Sequence, residues 1–161
     1  MGGEPPTISV SILLNSNVMK SLHDNNHLSI DDQAHLFAEQ FAVGGPDFLT
    51  THLPEQFIVG APTGSQLVTR ERFIEAAQQR ADLVTNTGLD SPELVSTGCQ
   101  ELGDAYCLII AQWQMMLPTG ERLDLMEDFL IDRTGSTWIC LVYLLRQDLP
   151  KLIKASERQS S

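Results

Sequence analysis

Leu123-Asp124-Leu125-Met126-Glu127-Asp128-Phe129-Leu130-Ile131-Asp132 is the stretch whose reading decides the fold. Leu123, Leu125, Phe129 and Ile131 share one face, and Asp124, Asp128 and Asp132 mark the other. Alternation of this kind is the signature of a strand with one buried side. Glu127 falls on the apolar side. A carboxyl group there must be paired, protonated or lining a pocket, because an isolated buried ion is costly.

The flanking sequence extends the pattern. Glu93 to Glu101, Ala105 to Leu117, Arg122 to Asp132 and Ser136 to Gln147 read as consecutive antiparallel strands. Gly103, Pro118-Thr119-Gly120 and Thr134-Gly135 supply the turns. The strands at 105–117 and 136–147 are apolar on both faces, so the outer face needs cover as well. A homodimer through the sheet is the simplest source of it.

Upstream of Pro92 the period changes to helical. Ser29 is placed to cap a helix with Asp31 and Asp32 in its first turn, and Ile30, Ala34, Phe37 and Phe41 form its buried stripe. Gly44-Gly45 ends it, and Pro46 opens a short second helix to His52. Phe57-Ile58-Val59 reads as a short strand closed by Pro62-Thr63-Gly64. Thr69 caps a longer helix from Arg70 to about Val84, with Phe73, Ala77, Arg80 and Val84 among the residues along one side. Helices first and strands last is the α+β pattern. The expected organisation is an irregular segment over 1–28, one domain over 29–155 and a frayed tail over 156–161.

A chain of 161 residues with 42% hydrophobic residues is long enough for one full core. Its net charge of -11, with no Lys/Arg cluster, makes nucleic acid and anionic membranes poor partners. The first basic residue, Lys20, follows the apolar run Ile8 to Leu14, which is the wrong order for an export signal, and no stretch has the length of a membrane span. A cytoplasmic location is the expectation. Cys99, Cys107 and Cys140 show no CxxC spacing and read as reduced thiols in strands. A three-residue loop at Leu102-Gly103-Asp104 would instead set Cys99 opposite Cys107, within reach of a disulfide.

The order helix, short helix, strand, helix and four-strand meander resembles the nuclear-transport-factor-2-like superfamily, including its polyketide-cyclase-like (SnoaL-like) members. Two motifs carry the resemblance. Phe57 to Gly64 leading into Thr69-Arg70-Glu71-Arg72-Phe73 is similar to the strand and turn before the third helix of such proteins. Asp132-Arg133-Thr134-Gly135-Ser136-Thr137-Trp138-Ile139 is similar to the hairpin before their last strand. The resemblance implies N-terminal helices packed on a strongly curved, mostly antiparallel sheet, forming a cone with an interior pocket. It does not choose a function, since the superfamily holds isomerases, cyclases, dehydratases and non-catalytic modules.

Glu127 is the candidate catalytic residue. The meander turns place Ala111 or Trp113 opposite it on one side and Leu141 or Tyr143 on the other. Trp113 and Tyr143 would then line a pocket wall with it, an apolar setting that lifts a carboxyl towards neutrality, as a general acid or base requires. Arg80 could pair with Glu127 in a buried ion pair without chemistry, and a β-bulge could turn Glu127 outwards. Met115 is a further candidate wall residue, and His52 is placed near the cone mouth, as a base or as a helix-end cap. His23 and His27 sit in an Asn-rich loop, so no metal is expected and no cofactor motif is present. Two functions follow: a binding or assembly module with an interior pocket for a small apolar molecule, or a cofactor-free acid–base enzyme with Glu127 as its base.

Overall fold

In the computed structural model, which describes residues 28–86 and 91–160, Ser29 opens helix α1, Ile30–Val43. Its Oγ accepts from the Asp32 amide at 3.1 Å, satisfying one of the orphan N–H groups of the first turn. Ala34, Phe37, Ala38 and Phe41 are buried along one side, as the spacing requires. Helix α2 follows directly, Gly45–His52, with Pro46 in its first turn. Gly45, at φ 73°, makes the corner between the two helices, a conformation glycine adopts without steric penalty.

Strands β1, Gln56–Ala61, and β2, Gly64–Thr69, form a hairpin. Pro62-Thr63-Gly64, expected to close the strand, instead leads into its return, β2. Helix α3, Arg70–Asn86, starts where Thr69 Oγ1 accepts from the Arg72 amide at 3.2 Å. The meander is β3, Glu93–Leu102; β4, Tyr106–Met116; β5, Arg122–Asp132; and β6, Ile139–Leu145. Residues 136–138, expected to begin the last strand, precede β6 instead, with bends over 134–137. Helix α4, Leu149–Ser160, continues through the span read as a frayed tail. The irregular segment expected over 1–28, with His23 and His27, lies outside the described residues except for Leu28.

The six strands form one sheet in the order β2-β1-β6-β5-β4-β3. All neighbours are antiparallel except β1 and β6, which run parallel through Ile58↔Val142 to Gly60↔Leu144. The architecture is therefore α+β, with N-terminal helices on a mixed, mostly antiparallel sheet. Two register shifts bend it, one at Val95 in β3 and one at Leu141 in β6. The second matters for the site. Ile131 pairs with Cys140 but Leu130 pairs with Val142, so Leu141 is the extra residue. It lets Cys140 and Tyr143 face the same side despite their odd spacing, and both are buried.

The core lies between the helices and the inner sheet face. Phe37 is its centre, with the rings of Phe48 at 5.5 Å, Phe129 at 5.9 Å and Trp138 at 6.1 Å. Edge-on and tilted contacts of this kind suit the aromatic quadrupole. The outer face carries an apolar row across five strands: Leu67, Ile58, Val142, Leu130 and Leu108. Ile58, Leu67, Leu102, Tyr106, Met116 and Leu144 are exposed there.

Among the described residues all three cysteines are free thiols. The β3–β4 loop is Gly103-Asp104-Ala105, because Leu102 pairs with Tyr106. That register sets Cys99 opposite Ile109 and Cys107 opposite Glu101, a diagonal placement rather than the facing pair the alternative loop requires. Burial pushes the Cys107 thiol up to about 12 and raises that of Cys99.

Candidate functional site

Strands β4, β5 and β6 each send side chains to the inner face, and beyond the end of the aromatic core these line a cavity of about 390 Å³. The register brings Glu127 into its wall, with Ala111 as Cα partner on β4 and Leu145 on β6. Ala111 was one of the two partners expected. On the β6 side the bulge at Leu141 shifts the pairing, so that Tyr143 faces Phe129 and reaches Glu127 diagonally. The outward rotation that a bulge in β5 would have caused does not occur. Asp128 is the residue on the outer face, where Arg146 grips it through two bonds of 2.7 Å.

The polar end of the cavity is a cluster of four side chains. Tyr143 O–H donates to Glu127 Oε2. Trp113, opposite Leu125, has a buried indole N–H that stands beside the carboxyl group yet has no acceptor in hydrogen-bond geometry. Arg80, on the cavity side of α3 but itself exposed, sits at the rim near Glu127 and the Tyr143 hydroxyl. It forms no ion pair with Glu127: the ion pairs among the described residues are Arg133–Glu101 and Arg146–Asp128. Burial raises the Glu127 carboxyl above its ordinary range, opposed by the Tyr143 bond, the Arg80 charge and Trp113. Burial, reinforced by the Glu127 charge, holds Tyr143 well above its usual value. The hydroxyl is thus a fixed neutral donor.

The rest of the lining is apolar. Met115 and Leu125 continue the strand wall, and Phe41, Phe73 and Ala77 come from the helices. Of the sequence-predicted site residues, Glu127, Trp113, Tyr143, Met115 and Arg80 meet at this one cavity. His52 does not. It is wholly buried in the aromatic core, 4.1 Å from Phe48 ring to ring, and its Nδ1–H donates to the Trp138 carbonyl at 2.7 Å. The α2 helix carries its C-terminal end into the core rather than to a mouth, which corrects the placement of His52 in the pocket. Sequence reasoning missed Phe41 as a cavity residue, because its helical spacing signals only burial. It also missed Gln147 at the β6 end, whose Oε1 accepts from the Met126 amide at 2.7 Å.

No cluster of potential metal ligands occurs among the described residues. No helix among them is long and apolar enough to cross a membrane.

No protein-family description and no curated protein matches the chain. Solved structures do. A domain of unknown function with a cystatin-like fold from Nostoc punctiforme PCC 73102 superposes with a TM-score of 0.56 at 16% identity, covering 83% of this chain and 88% of its own. An NTF2-like protein of unknown function in nutrient uptake from Rhodospirillum rubrum ATCC 11170 gives 0.52 at 16% identity, covering 71% and 97%. A protein described as Rd1NTF2_04 with long sheet gives 0.55 at 15% identity, covering 70% and 98%. At these identities the likeness is one of fold.

Proposed function

The fold is nuclear-transport-factor-2-like, and from that premise we propose that the chain binds a small, largely apolar molecule in the cavity beside Glu127. The observation that carries the reading is the cavity itself. At about 390 Å³ it lies within the usual ~300–1,000 Å³ range of small-molecule sites, with apolar walls and one compact polar cluster to orient a ligand. The chain has two tryptophans, so two indole N–H resonances are expected in a nitrogen–proton NMR spectrum. A bicyclic aromatic probe should move the Trp113 resonance in a saturable way and leave that of Trp138, which lies in the core. Equal, non-saturable movement of both would refute binding in the cavity.

A second reading is acid–base catalysis, favoured by one specific observation: Glu127 opens on the cavity without an ion-pair partner, and burial raises its pKa. An acid of that kind can exchange protons with carbon next to a carbonyl, and Tyr143 can donate to the oxygen that gains charge. The test is proton–deuterium exchange of a bound cyclic ketone. Exchange above buffer that disappears in Glu127→Gln supports catalysis; identical rates in both proteins leave a binding module.

The outer sheet face is read as a self-association surface, with a second copy as its occupant. Two features support this. Its exposed apolar side chains share one face, and the carboxylate at its centre, Asp128, is paired with Arg146, which lowers the charge that two copies would bring together there.

A further inference from the structure

The polar cluster also bears on the kind of head group the cavity takes. Resting on the binding reading above, we propose that its ligand is an apolar molecule carrying a single carboxylate, received by the Arg80 guanidinium and the Trp113 indole N–H beside the Glu127–Tyr143 pair. The argument begins with donors. Trp113 lines the cavity with a buried N–H that stands beside the Glu127 carboxyl without meeting it in hydrogen-bond geometry, and an indole can only donate. A buried donor left unmet has lost its water without compensation, so the position favours a ligand that brings an acceptor. Arg80 adds the planar fork of N–H groups that matches a carboxylate.

The charge balance points the same way. Arg80 and Glu127 are the charged side chains in the cavity wall. Tyr143 spends its proton on Glu127, and the charged or titratable groups around that carboxyl are Arg80 on α3, Asp128 on its own strand, and Tyr143 and Cys140 on β6. Asp128 is held by Arg146 on the outer side. When Glu127 carries its proton, the wall has one net positive charge inside a chain of net charge -11. Two carboxylates sharing a small apolar site cannot both stay ionised. An incoming carboxylate therefore obliges Glu127 to hold a proton, and the protonated acid becomes a further donor. An ammonium head would face Arg80, and an alcohol supplies a weaker, neutral acceptor.

The test uses three matched probes: naphthoate, naphthalenemethanol and naphthylmethylammonium. Affinities come from the Trp113 indole resonance and from calorimetry in two buffers of different ionisation enthalpy. Naphthoate should bind roughly tenfold more tightly than the alcohol, the margin of a charge-assisted over a neutral contact. The ammonium should bind weakest. Binding of the acid should take up protons from buffer, and that uptake should vanish in Glu127→Gln. In Arg80→Gln, a change on an exposed helix position, the acid-to-alcohol affinity ratio should fall towards one. An alcohol that binds as tightly as the acid, or a ratio unchanged in Arg80→Gln, overturns the head-group proposal and leaves the cavity as a binding site. If no probe moves the Trp113 resonance, the binding reading falls and takes this proposal with it.

Discussion

Tyr143→Phe tests the central contact of the site with a single atom. Tyr143 is buried and its hydroxyl donates to Glu127 Oε2, so the change removes the bond while the ring stays packed against Phe129 and Phe41. A neutral hydrogen bond contributes ~0.5–1.5 kcal/mol net and one to a charged group ~1.5–3 kcal/mol. The cost of the substitution should therefore depend on the protonation of Glu127. At about pH 5, where the raised pKa keeps more of the acid protonated, the loss should be about 1 kcal/mol; at about pH 9 it should approach 2 kcal/mol. The difference of about 1 kcal/mol is also the free energy by which the carboxyl gains proton affinity, roughly fivefold. Urea denaturation across this range measures the cost, and carboxyl-carbon NMR of Glu127 measures the affinity. In the Glu127→Gln background the pH dependence should disappear. A cost that is the same at every pH in both backgrounds would refute the reasoning, because the hydroxyl would then not be serving the carboxylate.

The remaining predictions are independent of that cycle. Glu127 has a folded-state pKa above its unfolded one, so over the interval between them the native state holds more protons and stability falls as pH rises. Glu127→Gln should remove that slope, so its stability relative to wild type should improve from the ordinary glutamate range upwards, as read by thermal denaturation in a pH series. Gly44→Ala should destabilise by ~1–3 kcal/mol or more, since a Cβ there would meet the Gln40 carbonyl oxygen and Phe48 Cβ at 2.6 Å each, and neither is free to give. Thermal unfolding checks it, and an unchanged midpoint would refute the clash. Sedimentation should show a dimer at micromolar concentration that Leu144→Glu, on the outer face, converts to a monomer. A monomeric wild type removes the self-association reading.

The strand Arg122–Asp132 was legible in the sequence because one of its faces is buried and the other is not, which is the condition for alternation to show. The tight turn narrowed the partner of Glu127 on β4 to Ala111 or Trp113, and the observed register chooses Ala111. Arg80 at the cavity rim followed from helical spacing alone. Tyr143 reached the right wall by a route the sequence conceals. The extra residue at Leu141 lies among Ile139, Cys140 and Val142, and nothing in a run of apolar residues marks which one is left over. Strand β2 escaped notice because Gly64, Ser65, Gln66 and Leu67 are all exposed at the sheet edge, so no buried face imposes a period. The parallel pairing of β1 with β6 joins segments about eighty residues apart and has no local signature. His52 was misplaced for a related reason. Spacing shows that a helix ends there, but only packing decides whether that end meets solvent or the core.

Phe41 stands between the two interiors of this molecule. Its ring packs on Phe129 at 4.9 Å in the core, and it also forms part of the cavity wall. Space can be added to the cavity on that side only by withdrawing contacts from the core, so a wider ligand and a more stable protein are competing demands there. The opposite wall is different in kind. It comes from α3, where no residue is fully buried, including Ala77, Ala81, Leu83 and Val84. Substitutions on that helix can reshape the cavity while the aromatic centre keeps its packing. On the binding reading, divergence in ligand size is therefore expected to accumulate along α3, with the strand wall holding the polar cluster constant.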